Sequence, residues 1–441
     1  MGKNKKKIAL HSLGCKLNFA EGDTILRKFE KEGYYPVSFK EKADVYIINT
    51  CSVTHVADKK SRNLIRQAIK KNQNAIVIVT GCYAQISAKD IATQISDIDY
   101  IIDNKHKKDF FVSENISKLE KQNTPLVINS NIRAEDTDFF PSYSISFRTR
   151  SFLKVQDGCD YSCNYCTIPH TRGESRNAPI QEIVKEATHI AKQGVKEIVL
   201  TGINIGDFGK STGETFFDLI KALEKIDMEV RFRISSIEPN LITSDIIDFI
   251  ANSKHFVHHF HIPLQSGTDK ILQLMKRRYN TKLFRKKIEE INKKIPDAGI
   301  GIDVITGYPA ETKEDFETTY NFLNNLDFSY LHVFTYSDRP LAESSKMKPV
   351  ASNKEISDRS RLLHQLSDKK RETFLQKFLN TYHKVLFESD EINGKIYGLT
   401  GNYIKIQVPF EKSLINSLQK IKITSVANTH ENLCNAELIK K

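Results

Sequence analysis

The segment DGCDYSCNYC places three cysteines, Cys159, Cys163 and Cys166, within eight residues. Zinc in a structural site and a four-iron cube both take four ligands. A zinc ribbon would need a second CxxC pair, and none lies nearby. A loop this compact suits three corners of one 4Fe–4S cube, with the fourth iron open to chelation by a small molecule. Tyr165, just before the last cysteine, fits a loop that also packs against that molecule. A three-cysteine catalytic zinc site is the alternative.

A second set, Cys15, Cys51 and Cys82, is dispersed, with gaps of 36 and 31 residues. Each cysteine follows an apolar, β-rich run: LHSLGC, YIINTC and VIVTGC. The carboxyl ends of parallel strands line one edge of a sheet, where open α/β folds bind ligands. Gly14 and Gly81 let backbone approach a bulky group. A second cluster site with three ligands and one open iron is expected, against the reading of three unrelated structural thiols. Cys434 stands alone and reads as a structural thiol.

The elements that would position these cysteines are α/β throughout the first 350 residues. Strands KIALHSLGC, ADVYIINTC, NAIVIVTGC and DYII alternate with helices near 20–32, 57–71 and 88–96, the pattern of an open parallel sheet. Residues 105–150, rich in polar and breaker residues, read as a connecting segment. A second series follows: FLKVQDG, then strands at 196–202, 230–236, 257–264, 299–307 and 330–337, with helices such as 180–193 and 312–325 between them. Six strands with intervening helices predict a partial (β/α)6 barrel. A charged helix over 353–380 leads to a tail, 381–441, whose short strands and turns predict a small β-barrel. The expected division is therefore 1–104, 105–150, 151–352, 353–380 and 381–441.

Among the 441 residues are 66 Lys or Arg against 54 Asp or Glu, a net charge of +12. That balance is compatible with a polyanionic partner such as RNA. Seven cysteines, an odd number, are too few for a disulfide scaffold. No apolar run is long enough for a membrane span, and the start MGKNKKKIAL lacks a signal-peptide core. A cytoplasmic protein with a short, loose basic N-terminal tail is expected.

With CxxxCx-aromatic-C placed after the first barrel strand, the chain resembles the radical S-adenosylmethionine superfamily. With both triads it resembles the methylthiotransferases, which join an N-terminal cluster domain, a radical barrel and a C-terminal β-barrel of the TRAM type. LGCKLNFAEGDTI (13–25), ADVYIINTCSVTHVADKKSR (43–62), VTGCYAQ (79–85), VQDGCDYSCNYCTIPHTRGESR (155–176) and IVLTGINIGDFG (198–209) are similar to the branch acting on threonylcarbamoyladenosine in tRNA. The chain departs from the family after HVFTYSDRP, where LAESSKM replaces a Gly-Thr-x-Ala type of turn.

The resemblance implies two 4Fe–4S clusters and two molecules of S-adenosylmethionine per turnover. The cluster on Cys159, Cys163 and Cys166 would generate a radical that takes hydrogen from carbon 2 of the modified adenosine beside the anticodon. The cluster on Cys15, Cys51 and Cys82 would carry the inserted sulfur. An unactivated C–H bond requires a radical, since no side-chain base removes that proton at neutral pH. The resemblance also implies S-adenosylmethionine contacts from Tyr165, from Thr201 and Gly202 in LTGINIG, and from Ser235, Gln265 and the DVITGYP segment (303–309). Arg172 reads as a cofactor or substrate contact, or as a surface residue.

The implied partners are the anticodon stem-loop of tRNA and a one-electron reductant such as flavodoxin or ferredoxin. The basic groups Lys395, Lys405, Lys420 and Lys422 of the tail, and Lys59, Lys60, Arg62 and Arg66 near the second cysteine, are expected to meet phosphates. Isopentenyladenosine is the alternative substrate. A zinc-stabilised RNA-binding protein without catalysis is the alternative of a different class.

Overall fold

Unbroken β-branched runs such as VYIINT and IVIVTG can be buried on both faces, and they form the centre of the first body. In this computed structural model residues 5–131, 138–145 and 149–439 are described. The basic tail expected at residues 1–4 lies outside them. Strands β1 (Lys7–Ser12), β2 (Tyr35–Pro36), β3 (Val45–Thr50), β4 (Ile76–Gly81), β5 (Tyr100–Ile102) and β6 (Leu126–Ile128) make one parallel sheet in the order β2-β1-β3-β4-β5-β6. Alternate residues feed two cores: Ile8, Ile47 and Ile78 on one face, Ala9, Ile48 and Val79 on the other.

Helices α1 (Lys16–Lys31), α2 (His55–Lys71) and α3 (Cys82–Gln94) make the connections between these strands. α1 and α3 begin earlier than their apolar periodicity suggested, because each starts within a residue of the cysteine that ends the strand run. α3 is broken at Ser87, whose backbone is not helical. Short helices α4 (Lys107–Phe110) and α5 (Ser113–Ser117) follow β5.

The segment 105–150 is more than a connector. It adds α4, α5 and β6 to the first body, and β7 (Ser142–Tyr143) as an antiparallel edge of the second. Strands of two or three residues leave no readable periodicity.

Six parallel strands build the second body: β8 (Arg150–Lys154), β9 (Glu197–Thr201), β10 (Arg231–Ile234), β11 (His259–Gln265), β12 (Gly299–Thr306) and β13 (Tyr330–Thr335). They form two sheets, β7-β8-β9-β10 and β11-β12-β13. A parallel bridge between Ser236 and His261 joins the two across one side, giving the partial barrel expected from the sequence. Leu153, Ile198, Leu200, Phe232, Ile262 and Ile302 face the helices. Their neighbours Phe152 and Val199 face the concave side, where Phe19 and Ala20 of α1 pack on them. The first body therefore lays α1 across the barrel's inner face.

Five helices of this body, α6 (Ile168–Arg172), α7 (Ile180–Lys192), α8 (Phe216–Leu223), α9 (Ser244–Asn252) and α10 (Asp269–Leu274), are followed by α11 (Thr281–Lys294) and α12 (Lys313–Asn324). Helix α13 (Asn353–Gln376) starts with a capping box between Ser352 and Glu355. It leads to β14 (Tyr382–Ile392), β15 (Lys395–Thr400), β16 (Lys405–Pro409), β17 (Leu418–Asn428) and β18 (Leu433–Leu438), which close a barrel in the order β14-β15-β16-β18-β17. Cys434 is fully buried in its core, as a structural thiol would be.

The small barrel is fastened beneath the larger one through a buried carboxylate. Glu197 accepts from Arg231 Nε at 2.6 Å and Arg233 Nε at 2.9 Å, while the two guanidinium groups also donate to the carbonyls of Leu399, Thr400 and Gly401. Burial pushes the Glu197 pKa up, but Arg233 and Arg231 outweigh it and hold the carboxyl below its ordinary value of 4.5. A depressed pKa gives stability that is complete above the unfolded value and is lost as pH falls through the folded one. Glu197→Gln is therefore expected to lower the melting temperature at pH 7, with the gap to wild type narrowing below about pH 4. A gap that stays constant from pH 7 to pH 3 in circular-dichroism melts would refute the role of this ion cluster.

Candidate active site

β1, β3 and β4 are neighbours in the first sheet, and their carboxyl ends deliver Cys15, Cys51 and Cys82. Cys15 is the N-cap of α1, Cys51 follows β3, and Cys82 opens α3. Gly14 has φ +88°, and a Cβ there would lie 2.5 Å from Cys51 Sγ. Gly81, at φ +99°, would put a Cβ 2.4 Å from the carbonyl of Thr50. These two glycines therefore let adjacent strand ends close on one another. The cysteines are close enough to interact: Cys15 feels Cys82, and Cys51 feels both Cys82 and Cys15. Burial pushes the Cys51 pKa up to about 12, with Cys82 adding to the rise.

The compact triad occupies the loop after β8. Gly158, at φ +72°, passes so close to the Glu174 carbonyl that no side chain fits there. Backbone N–H groups of Tyr161 and Ile168 point at the sulfurs of Cys159 and Cys166, at 3.4 and 3.5 Å. Arg277 Nη1 donates to Cys163 Sγ at 3.0 Å and to Tyr165 Oη at 3.2 Å, and its other end pairs with Glu238. Burial pushes the Cys159 and Cys166 thiols up to about 12 and about 11. Loading a metal on either triad must therefore displace protons.

Gln156 ties this loop to the next strand end. Its Oε1 accepts from the backbone N–H groups of Ile203 and Asn204, both at 2.9 Å, while Nε2 donates to the carbonyl of Gly158. A Cβ on Gly202 would lie 2.8 Å from that Oε1, which explains the glycine. Ser235 Oγ and Gln265 Oε1 are buried without a hydrogen-bond partner, as are Asn204 Oδ1 and Thr306 Oγ1. All four stand at or just after strand carboxyl ends of the barrel. Gln265 is also held at φ +66°, a strained value for a residue with a side chain. Thr201 Oγ1 is instead occupied, donating to the Val199 carbonyl. Tyr165 packs beside Ile271, Met275 and Tyr308.

Arg172 is neither a surface residue nor at a barrel strand end. It is 1% exposed and bridges the two bodies. Nη1 donates to Glu21 of α1 at 3.0 Å and to Asp157 at 2.9 Å, and Nη2 donates to Asn18 at 2.7 Å. Lys107, Lys154 and Arg176 complete the network around the same two carboxylates.

Profiles of two families match the chain: residues 7–103 fit the "Uncharacterized protein family UPF0004" and residues 153–323 the "Radical SAM superfamily". The threonylcarbamoyladenosine tRNA methylthiotransferase MtaB of Aquifex aeolicus is 36% identical over 91% of this chain and 96% of its own. The chain belongs to the radical S-adenosylmethionine tRNA methylthiotransferases. The tRNA-2-methylthio-N(6)-dimethylallyladenosine synthase of Hydrogenobaculum sp. is 31% identical over 90% of this chain and 92% of its own. Among solved structures, the radical S-adenosylmethionine methyltransferase TsrM of Kitasatospora setae shares the fold. Its TM-score is 0.60 at 12% identity, over 77% of this chain and 75% of that one.

The cysteine triads of this methylthiotransferase are spread wider than the ligands of a single ion. Cysteine sulfurs around one zinc lie about 3.8 Å apart, from a Zn–S bond of about 2.3 Å. Among the described residues, His261, Asp303 and His332 form the group whose ligand atoms all lie within 4.8 Å of one another, and neither cysteine triad closes to that span. His261 Nε2 and Asp303 Oδ1 are joined at 2.6 Å by a hydrogen bond. The unpartnered Ser235 and Gln265 atoms are the donors and acceptors that a polar cofactor such as S-adenosylmethionine would satisfy.

Sequence reasoning missed Glu238 and Arg277, which lie outside any short motif around the cysteines, and Gln156, which lies within the 155–176 stretch. Gln156 had a signal in its place three residues before Cys159. The expected phosphate contacts divide: Lys59, Lys60, Arg66, Lys395 and Lys420 are exposed, whereas Arg62 is tied to Tyr83 Oη at 2.7 Å and Lys405 pairs with Glu431 at 3.4 Å.

Proposed function

We propose that this methylthiotransferase converts N6-threonylcarbamoyladenosine at position 37 of tRNA to its 2-methylthio form, using two 4Fe–4S clusters and two molecules of S-adenosylmethionine. The observation that carries the reading is the convergence of Cys15, Cys51 and Cys82 at three adjacent strand ends, on a body whose α1 lies against the barrel's concave face. The relative named for threonylcarbamoyladenosine, at 36% identity against 31%, supports the choice of substrate.

Cys159, Cys163 and Cys166 would hold the cluster that binds S-adenosylmethionine, with Tyr165, Thr201, Gly202, Ser235 and Gln265 around the cofactor. With cluster and cofactor bound, the site would supply the radical chemistry that removes hydrogen from the substrate carbon. Arg277 would hold Cys163 and, through Glu238, fix its own orientation. Cys15, Cys51 and Cys82 would hold the sulfur-delivering cluster. The working units would be residues 1–104, 151–352 and 381–441, joined by 105–150 and the helix of 353–380. A one-electron reductant such as flavodoxin or ferredoxin would feed the barrel cluster. No helix among the described residues is long and apolar enough to cross a membrane, which fits work on tRNA in the cytoplasm.

The test is nucleoside mass spectrometry of tRNA from a strain lacking the gene. The 2-methylthio form of threonylcarbamoyladenosine should disappear. If it persisted while that of isopentenyladenosine vanished, the substrate assignment would be wrong. Iron analysis after anaerobic purification should give about eight irons per chain, and one zinc without iron would sink the cluster reading.

A further inference from the structure

A cation without a partner lies where the first body meets the barrel. Lys16 opens α1 directly after Cys15, and the first turn holds no acidic residue. A positive charge at this end of a helix opposes the helix dipole, so helix stability does not account for it. One turn further on, Phe19 and Ala20 pack against Phe152 and Val199 of the concave face. The ammonium's electrostatic surroundings are Arg233, Arg150, Asp303 and Glu197, which come from β8, β9, β10 and β12.

Each of those neighbours is already engaged. Glu197 is taken by Arg231 and Arg233, Arg150 pairs with Glu388 at 3.2 Å, and Asp303 accepts from His261. Among the described residues, no hydrogen bond or ion pair reaches the Lys16 ammonium. Both carboxylates near it are engaged with other groups, which leaves the ammonium available to an anion from outside the chain.

His332, whose electrostatic surroundings also include Lys16, lines a groove on the neighbouring surface. The groove, of about 450 Å³, runs between β13, α13 and the small barrel, lined by His332, Phe334, His364 and Arg371. Phe334 is 52% exposed there. An exposed ring beside imidazoles suits a nucleobase, and Arg371, which pairs with Asp368 of the same groove at 3.1 Å, is its guanidinium. A modified base entering this way would bring its N6 substituent toward the concave face, beside the cysteine that precedes Lys16.

We propose that the Lys16 ammonium binds the carboxylate of the N6-threonylcarbamoyl group of the substrate base, so that this residue selects for an acidic modification. The inference rests on the substrate reading above. A backbone phosphate could offer the same anionic chemistry, but Lys16 stands against the barrel's inner face, where the base rather than the backbone must lie for carbon 2 to react.

Four anticodon stem-loops distinguish these sources: one with threonylcarbamoyladenosine, one with its methyl ester, one with isopentenyladenosine and one with adenosine. Binding is read by fluorescence anisotropy with anaerobically purified enzyme. Wild type is expected to bind the acid at least about tenfold more tightly than the ester, as loss of a charge-assisted hydrogen bond would give. Lys16→Met should reduce that ratio to below about twofold, and Lys16→Arg should retain it. Equal binding of acid and ester by wild type would overturn the proposal. So would a Lys16→Met variant that weakens all four loops alike, the mark of a phosphate contact. Failure of the substrate reading shows separately, as wild-type preference for the isopentenyl loop together with an unchanged threonylcarbamoyl profile in the deletion strain.

Discussion

Replacing Cys163 by alanine is expected to reduce reductive cleavage of S-adenosylmethionine by at least about a thousandfold, the scale of losing a group that acts as part of a unit. Cys163 is buried, and its sulfur receives Arg277 Nη1 at 3.0 Å. The substitution removes one of three thiolates and leaves a buried guanidinium facing a methyl group, with Glu238 still bound to it. Cys51→Ala should behave differently. It belongs to the other body, and its loss should halve the iron from about eight to about four per chain. Cleavage to 5′-deoxyadenosine should persist while methylthiolated tRNA disappears. The two readouts, nucleoside mass spectrometry of tRNA and chromatography of the cleavage product, come from one reaction mixture. Equal loss of both activities in both variants would contradict the separate roles of the two triads.

Much of this arrangement is legible in the sequence, for a physical reason. The cysteines sit where strand patterning ends, and a parallel sheet gathers such ends on one edge whatever their distance along the chain. Six barrel strands and a closed terminal barrel likewise follow from runs long enough to show a period. What stayed hidden depends on contacts between bodies. Arg172 sits six residues beyond Cys166 and reads as an ordinary loop cation until α1 brings Glu21 against it. Lys16 is hidden in the same way, since its surroundings come from four separate strands of another body. Strands β6 and β7 are too short to announce themselves, so residues 105–150 looked like a tether. The departure LAESSKM falls in a loop that the structure ties to the compact cysteine loop, where Ser344 N–H donates to the Asn164 carbonyl at 2.9 Å. The nearby Arg339 reaches Asp58 of α2 at 2.8 Å. That loop touches both bodies without a motif to mark it.

Arg172→Met is expected to destabilise the junction between these bodies by about 3–5 kcal/mol, the cost of breaking a buried ion pair from one side. The network is not neutral. Four cations, Lys107, Lys154, Arg172 and Arg176, surround the two carboxylates Glu21 and Asp157. Such a surplus would be costly if it faced only apolar side chains. Burial raises the Cys15 thiol and Arg172 opposes that rise; it acts in the same direction on Cys51. The excess positive charge would complement thiolates at the dispersed triad, were that triad to hold the proposed cluster. Loss of Arg172 should act twice, by removing the one fork that joins Asn18 and Glu21 to Asp157 across the junction and by disfavouring thiolate at Cys15. Arg172→Lys keeps the charge but cannot span Asn18, Glu21 and Asp157 with one planar fork, so its denaturation midpoint should fall between those of wild type and Arg172→Met. Iron occupancy should follow the same order, with the compact triad retaining its share. If Arg172→Met unfolded within about 1 kcal/mol of wild type, the network would be a surface-like pair of little worth. The coupling between the junction and the dispersed cysteine triad would then have to be abandoned.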